Sequence, residues 1–282
     1  MAILDCRTGK GHLLAEHERV LRGLSRKDEH PELREGETLT GAYHPQAMEI
    51  AAKNWRLRMA HEHRSAQTFT NLLPHLVTAG ASMEFKTVVV RSALDELRHA
   101  TLCGQVVSLL GHDPTIDVVL TPEKPTFHPD VSPVEAAIRN LGFVGCISET
   151  VAVGMLTEER DKAKEPFVKR VLTQLLADET LHARVGWAYL REEWPSLDAA
   201  ARERTTAYLA RALGYYEQCV IEATLPGVFS DEVMADAIAL GFSEPRNALE
   251  LAYQAIDAVV VPELEKIGVP VGALWNARKC SD

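Results

Sequence analysis

The 282-residue chain carries 30 Lys plus Arg against 40 Asp plus Glu, a formal charge of -10, the wrong sign for a domain that tracks a phosphate backbone, so no nucleic acid partner is expected. Its five cysteines are an odd number and include no C-x-x-C pair, which argues against a disulfide scaffold or a thiolate metal site. The N-terminus has no basic segment followed by an apolar one, and no run approaches the ~18 continuous apolar residues of a spanning helix, so a cytoplasmic chain with no membrane partner is expected.

Residues 1–43 are polar, charged and weakly periodic, and read as an N-terminal arm with at most a short helix near 12–23. Pro45 then suits a first helical position, and from Gln46 to about Leu73 the apolar residues recur at helical spacing. Met83 to Leu110 is a second long helical stretch, ended by Gly111 and Pro114. Residues 112–131 hold four prolines (Pro114, Pro122, Pro125 and Pro129), which suits a crossover along a bundle better than a tight turn. Ser132-Pro133 with Glu135 is a capping signature, and it opens a third helix predicted to run to about Arg160. A fourth is predicted from about Pro166 to Glu193, a fifth near 197–223, and two more near 230–240 and 245–266. Strand alternation is absent, so the fold class is all-α: a four-helix bundle over about 45–193, covered by additional helices over about 194–268. Residues 44–282 are expected to form a single helical domain.

The second and fourth helices carry the chemistry, as D95-E-L-R-H99 and D178-E-T-L-H182. Positions i and i+3 share a helix face, so each Glu-x-x-His can offer a carboxylate and an imidazole to one metal. With 27 Glu and 11 His in 282 residues, chance alone supplies about one Glu-x-x-His, so the bare motif is uninformative. Requiring Asp directly before the Glu lowers the expectation to about 0.05, and two such motifs arise by accident on the order of once in 1,000 chains. The added Asp also has a role, since a ligating His passes its other N–H to a carboxylate that fixes its tautomer. Asp95 and Asp178 are assigned to that supporting layer, each serving the His of the opposite helix.

A carboxylate-bridged two-metal site needs one further Glu from each of the other two helices. Glu62 is the only acidic residue between Glu49 and Glu84, and Glu149 the only one between Glu135 and Glu158. A lone carboxylate in a helix as apolar as L141-G-F-V-G-C-I-S-E149-T-V-A-V-G-M-L156 is costly unless it is paired or ligated. The expected ligands are therefore Glu62, Glu96, His99, Glu149, Glu179 and His182. A Glu4His2 set suits iron or manganese better than calcium or structural zinc. His61, His63 and His75 are read as surface or hydrogen-bonded residues, and Cys103 and Cys146 as small apolar fillers.

Over residues 45–193 this set resembles the ferritin-like di-iron carboxylate family, which includes soluble monooxygenase hydroxylases, ribonucleotide reductase small subunits, acyl-carrier-protein desaturases and aldehyde-deformylating oxygenases. The resemblance implies a ferritin-like bundle with two Fe ions, or a Mn/Fe pair. It also implies O2 and a small organic molecule as substrates, a reductase as electron donor, and a homodimer. Three departures limit what carries over. Cys103 stands where the reductase subunits have their radical tyrosine, Val153 where the hydroxylases have a threonine, and Leu175 where arylamine oxygenases have a third histidine. The leading expectation is a di-iron oxygenase or oxidase, and the alternative is a ferroxidase of the iron-handling kind.

Overall fold

The computed structural model describes residues 2–5, 23, 31–119, 121, 126–223 and 229–278. Helix α1 (Pro45–Thr78) starts where the His44 ring accepts a hydrogen bond from the Gln46 N–H, with Pro45 in the first turn. Its buried face recurs at steps of three, four or seven residues as Ala51, Trp55, Met59, Ala66, Phe69, Leu72 and Leu76, the stripe that an amphipathic helix turns to a core. α2 (Met83–Leu109) returns antiparallel, and Gly111 takes up the positive φ of 80° that ends it. The predicted ends of these helices agree with the structure to within a few residues, and the fourth helix, α5 (Pro166–Glu193), agrees at both ends.

The third helix is built differently from the expectation. The Ser132 hydroxyl accepts from the Glu135 N–H at 3.2 Å, as the capping signature predicts. The run then consists of α3 (Pro133–Leu141), an eight-residue π-helical segment (Gly142–Glu149) and α4 (Thr150–Lys162). The π segment packs on α5 through glycine: a Cβ on Gly145 would lie 2.7 Å from the Gly186 Cα, so neither position tolerates a side chain without a shift of backbone. The whole run Pro133–Lys162 is long and apolar enough by composition to cross a membrane. Here its apolar residues Ile138, Leu141, Cys146, Ile147 and Val151 are spent on the bundle core.

After a short 3-10 turn (Trp194–Ser196), α6 (Ala199–Ala223), α7 (Asp231–Ala239) and α8 (Pro245–Ala255) follow. A π-helical turn (Ile256–Val260), α9 (Val261–Ile267) and α10 (Gly272–Arg278) complete the covering layer. Leu209, Leu213, Ile256, Val260, Leu264 and Trp275 join the same buried cluster as Phe69, Ile147 and Tyr189 of the bundle.

One sequence expectation is corrected. Among the described residues there is one antiparallel ribbon, β1 (Ala2–Asp5) paired with β2 (Thr115–Val118). Four-residue strands are too short for alternation to register, and β2 lies inside the crossover. The arm is also anchored: the Leu33 N–H donates to Gln105, Thr40 donates to the buried Glu165, and Glu37 pairs with Arg170 at 2.6 Å. The helix expected near 12–23 lies outside the described residues. The all-α bundle with additional C-terminal helices stands.

Candidate metal centre

The four bundle helices bring Glu62 (α1), Glu96 and His99 (α2), Glu149 (end of the π segment) and Glu179 and His182 (α5) to one interior point. Ligand atoms of Glu62, Glu96, His99 and Glu179 lie within 4.8 Å of one another, and so do those of Glu149, Glu179 and His182. The two imidazoles stand 6.0 Å apart, centroid to centroid. Glu96 and Glu179 span them both. Glu179 places Oε2 at 2.8 Å from His182 Nδ1 and Oε1 at 3.3 Å from His99 Nδ1. Glu96 places Oε1 at 3.1 Å from His182 Nδ1 and Oε2 at 3.9 Å from His99 Nδ1. Glu62 places Oε2 at 3.4 Å from the same inward His99 Nδ1, and Glu149 groups with Glu179 and His182 at the opposite end.

Both histidines turn Nδ1 into the cluster and Nε2 outward, and the residues behind them are crossed between hairpins. Nε2 of His99 on α2 meets Asp178 Oδ2 of α5 at 3.0 Å, and Nε2 of His182 on α5 faces Asp95 Oδ2 of α2 at 3.5 Å. A carboxylate at the outer nitrogen holds the imidazole in place and raises the basicity of the inner nitrogen. Arg98, fully buried, donates to Asp95 at 2.8 Å and to Asp178 at 2.6 Å, tying the two supports together. Gln174 donates to Asp178 at 2.8 Å and Arg91 to Asp95 at 3.2 Å.

The electrostatics show a site with more negative charge than the protein around it neutralises. Burial, reinforced by Glu179, pushes Glu149 well above the usual carboxylate range, and burial with Glu179 and Glu62 does the same to Glu96. Burial also disfavours the charged form of Glu179, yet His182 and His99 outweigh it and hold this carboxyl well below its ordinary value. Burial likewise lowers both histidines, and the carboxylates around them outweigh it. Asp178, Glu179 and Glu62 raise His99, while Glu179, Asp95 and Glu96 raise His182. Without metal, protons take the place of cations in this cluster.

The residues present fit a pair of divalent metal ions. His99 Nδ1 and Glu96 Oε2 are buried and make no hydrogen bond in the structure, although they face the centre of the cluster. Buried polar atoms without partners are rare and call for an explanation, which an ion at that point supplies. Four carboxylates and two neutral imidazoles also balance the charge of two divalent cations.

Sequence reasoning missed Arg98, although it stands inside the first motif, because nothing in the spacing shows that an arginine on α2 is buried between two aspartates. The π segment was likewise unforeseen, and its one signal is the pair Gly142 and Gly145 in an otherwise apolar helix. Of the positions that depart from the resembled families, Cys103 and Leu175 are buried in the core, and Val153 is half-buried.

No protein-family model matches the sequence, and no curated protein matches it. Among solved structures, the fold is similar to that of protein 19 with aldehyde deformylating oxidase activity from Synechococcus. That chain is 16% identical, superposes with a TM-score of 0.54, and is matched over 82% of this chain and 97% of its own length. At that identity the likeness shows a shared ferritin-like helical architecture and leaves the reaction to be argued from the site.

Proposed function

We propose that this chain is a di-iron oxidoreductase, an oxygenase or oxidase that uses O2 to oxidise a small organic substrate. The observation that carries the reading is the double span: Glu96 and Glu179 each reach both imidazoles, and Glu62 and Glu149 cap the two ends. In this reading His99 with Glu62, Glu96 and Glu179 would hold one ion, and His182 with Glu149 and Glu179 would hold the other. When bound, a ferrous pair supplies electrons to reduce O2 and oxidising power toward an adjacent substrate. The fold likeness to a protein with aldehyde deformylating oxidase activity supports the oxidase kind.

The chain's own contribution is to orient ligands, exclude water and manage protons. Asp178 and Asp95, linked through Arg98, keep both imidazoles pointing inward. The Phe69 ring stands 4.9 Å from that of His182 and closes the site with an apolar wall. Burial, aided by Glu149, raises the Tyr216 phenol far above its ordinary value, so its proton is retained beside the site.

The test is iron content per chain after anaerobic loading with Fe(II) and desalting, followed by O2 uptake. Two irons in the native protein, fewer in Glu149→Gln, and O2 consumption coupled to an added reductant are the expected results. Uptake of many irons per chain would replace this reading with iron handling of the ferroxidase kind. No iron in either protein would remove it.

A further inference from the structure

Trp187 lies on α5, five residues beyond His182, and belongs to no part of the centre described above. Its side chain is 7% exposed, and its only polar atom is committed: the indole Nε1–H donates to Thr150 Oγ1 at 2.9 Å. Thr150 directly follows Glu149, and its hydroxyl donates in turn to the Gly145 carbonyl at 3.4 Å, five residues back along the π segment. At the same level Gly145 and Gly186 bring the two backbones into contact. A relay of indole, hydroxyl and carbonyl therefore ties the helix that carries Glu179 and His182 to the widened turn that carries Glu149.

We infer that Trp187 and Thr150 form a positioning clamp that holds Glu149 against Glu179 and His182, and thereby sets the affinity of one metal position selectively. The inference rests on the two-metal reading above. A π-helix bonds i to i+5 and advances less per residue than the roughly 100° of an α-helix, so relaxation of Gly142–Glu149 toward α geometry would swing Glu149 around the helix axis. The threonine hydroxyl bonded to Gly145 opposes that change, and the indole fixes the hydroxyl. Glu62, Glu96 and His99 sit on α1 and α2, which the clamp does not touch. Of the candidate ligands at their ion position only Glu179, which both positions share, lies on a clamped helix, so the clamp bears on it less.

A guanidinium over Trp187 adds a further contact. The Arg191 guanidinium lies 5.9 Å from the indole centroid and pairs with Glu263 of α9 at 2.8 Å. The covering layer thus reaches the outer face of the indole through this surface ion pair.

The test is titration of the metal-free protein with Co(II), read by the visible absorption of the bound ion, for native, Trp187→Phe, Thr150→Val, the double variant and Glu149→Gln. Phe keeps the aromatic packing and removes the donor, while Val keeps the shape and removes the acceptor. The native protein is expected to bind two ions. Each single variant should weaken one of them about tenfold, the same one that Glu149→Gln loses, with the other changed far less and the double variant no worse than either single. Thermal unfolding of the metal-free variants within a few degrees of native separates this from a general loss of structure. Two ions bound with native affinity in the variants, or a parallel weakening of both, would overturn the clamp and leave the two-metal reading intact. No cobalt bound by the native protein would overturn both.

Discussion

Replacing Arg98 by Met should damage the protein more than any other change that leaves all six candidate ligands in place. The guanidinium is fully buried, and the two carboxylates it bonds are 0% and 7% exposed. Removing one partner from a buried charge cluster costs about 3–5 kcal/mol, because the remaining charges stay buried without compensation. Here two like charges lose their common donor, so the upper part of that range is expected. For a chain of this size 1 kcal/mol moves the melting temperature by roughly 2–4 °C, which places the metal-free variant about 6–20 °C below native. The second consequence reaches the centre itself. Asp95 and Asp178 no longer hold His182 and His99 at fixed angles, and metal affinity should fall roughly 10–100-fold, the usual effect of losing support behind a ligating histidine. The assays are thermal unfolding of the metal-free protein and titration with Co(II). A melting temperature within about 2 °C of native, or an affinity within a factor of about two, would refute the assignment of Arg98 as the tie between the two supports.

Metal loading should release protons, since His99, His182, Glu96 and Glu149 are all held above their ordinary values in the metal-free cluster and ions must displace what they carry. Affinity should therefore rise with pH, and calorimetry in buffers of different ionisation enthalpy should show a buffer-dependent heat; a heat independent of buffer would contradict this. Gly186→Ala places a Cβ against the backbone of Gly145, and the strain should cost about 1–3 kcal/mol as overpacking, measurable as a lowered melting temperature, whereas Gly214→Ala, with nothing within 4 Å of the added carbon, should not. Burial and the neighbouring His128 hold His75 below its usual range, so the unfolded chain binds the proton more readily and stability should fall as pH drops through about 6.5. His75→Gln should flatten that slope, and an unchanged slope would show that another group sets it. Trp55→Phe removes a buried bond from the indole to the Leu240 carbonyl at 2.8 Å, and a loss of about 1–3 kcal/mol is expected from the unsatisfied carbonyl.

The long helices were legible because burial imposes a 3.6-residue period on α1, α2 and α5, and Pro45, Gly111 and Pro166 mark their ends. The candidate cluster was legible for a second reason: Glu62 and Glu149 are isolated acids in apolar surroundings, and isolation of a charge is itself a signal of a partner in space. What stayed hidden depends on contacts between elements. Arg98 looks like any helical arginine until α5 brings Asp178 to it, and Trp187 looks like core until Thr150 takes its N–H. The π segment was hidden because one wider turn leaves the local apolar pattern intact, and only the backbone contact of Gly145 with Gly186 gives it a reason. The β1–β2 ribbon joins residues more than 100 positions apart through strands of four residues, beyond the reach of any local pattern.

The third bundle helix also bears on how the chain meets other cellular machinery before it is folded. Over Pro133–Lys162 it has the length and apolarity of a bilayer-crossing segment, and Glu149 stands near its middle. An ionised side chain at the centre of such a segment raises the free energy of membrane insertion by about 2.5–3.5 kcal/mol. The same carboxylate that groups with Glu179 and His182 in the folded bundle thus makes this helix a poorer membrane segment than its length and composition alone suggest. Leucine at this position would raise the segment's apolarity and remove a candidate ligand at once. Glutamine, polar and of matching shape, separates the two effects.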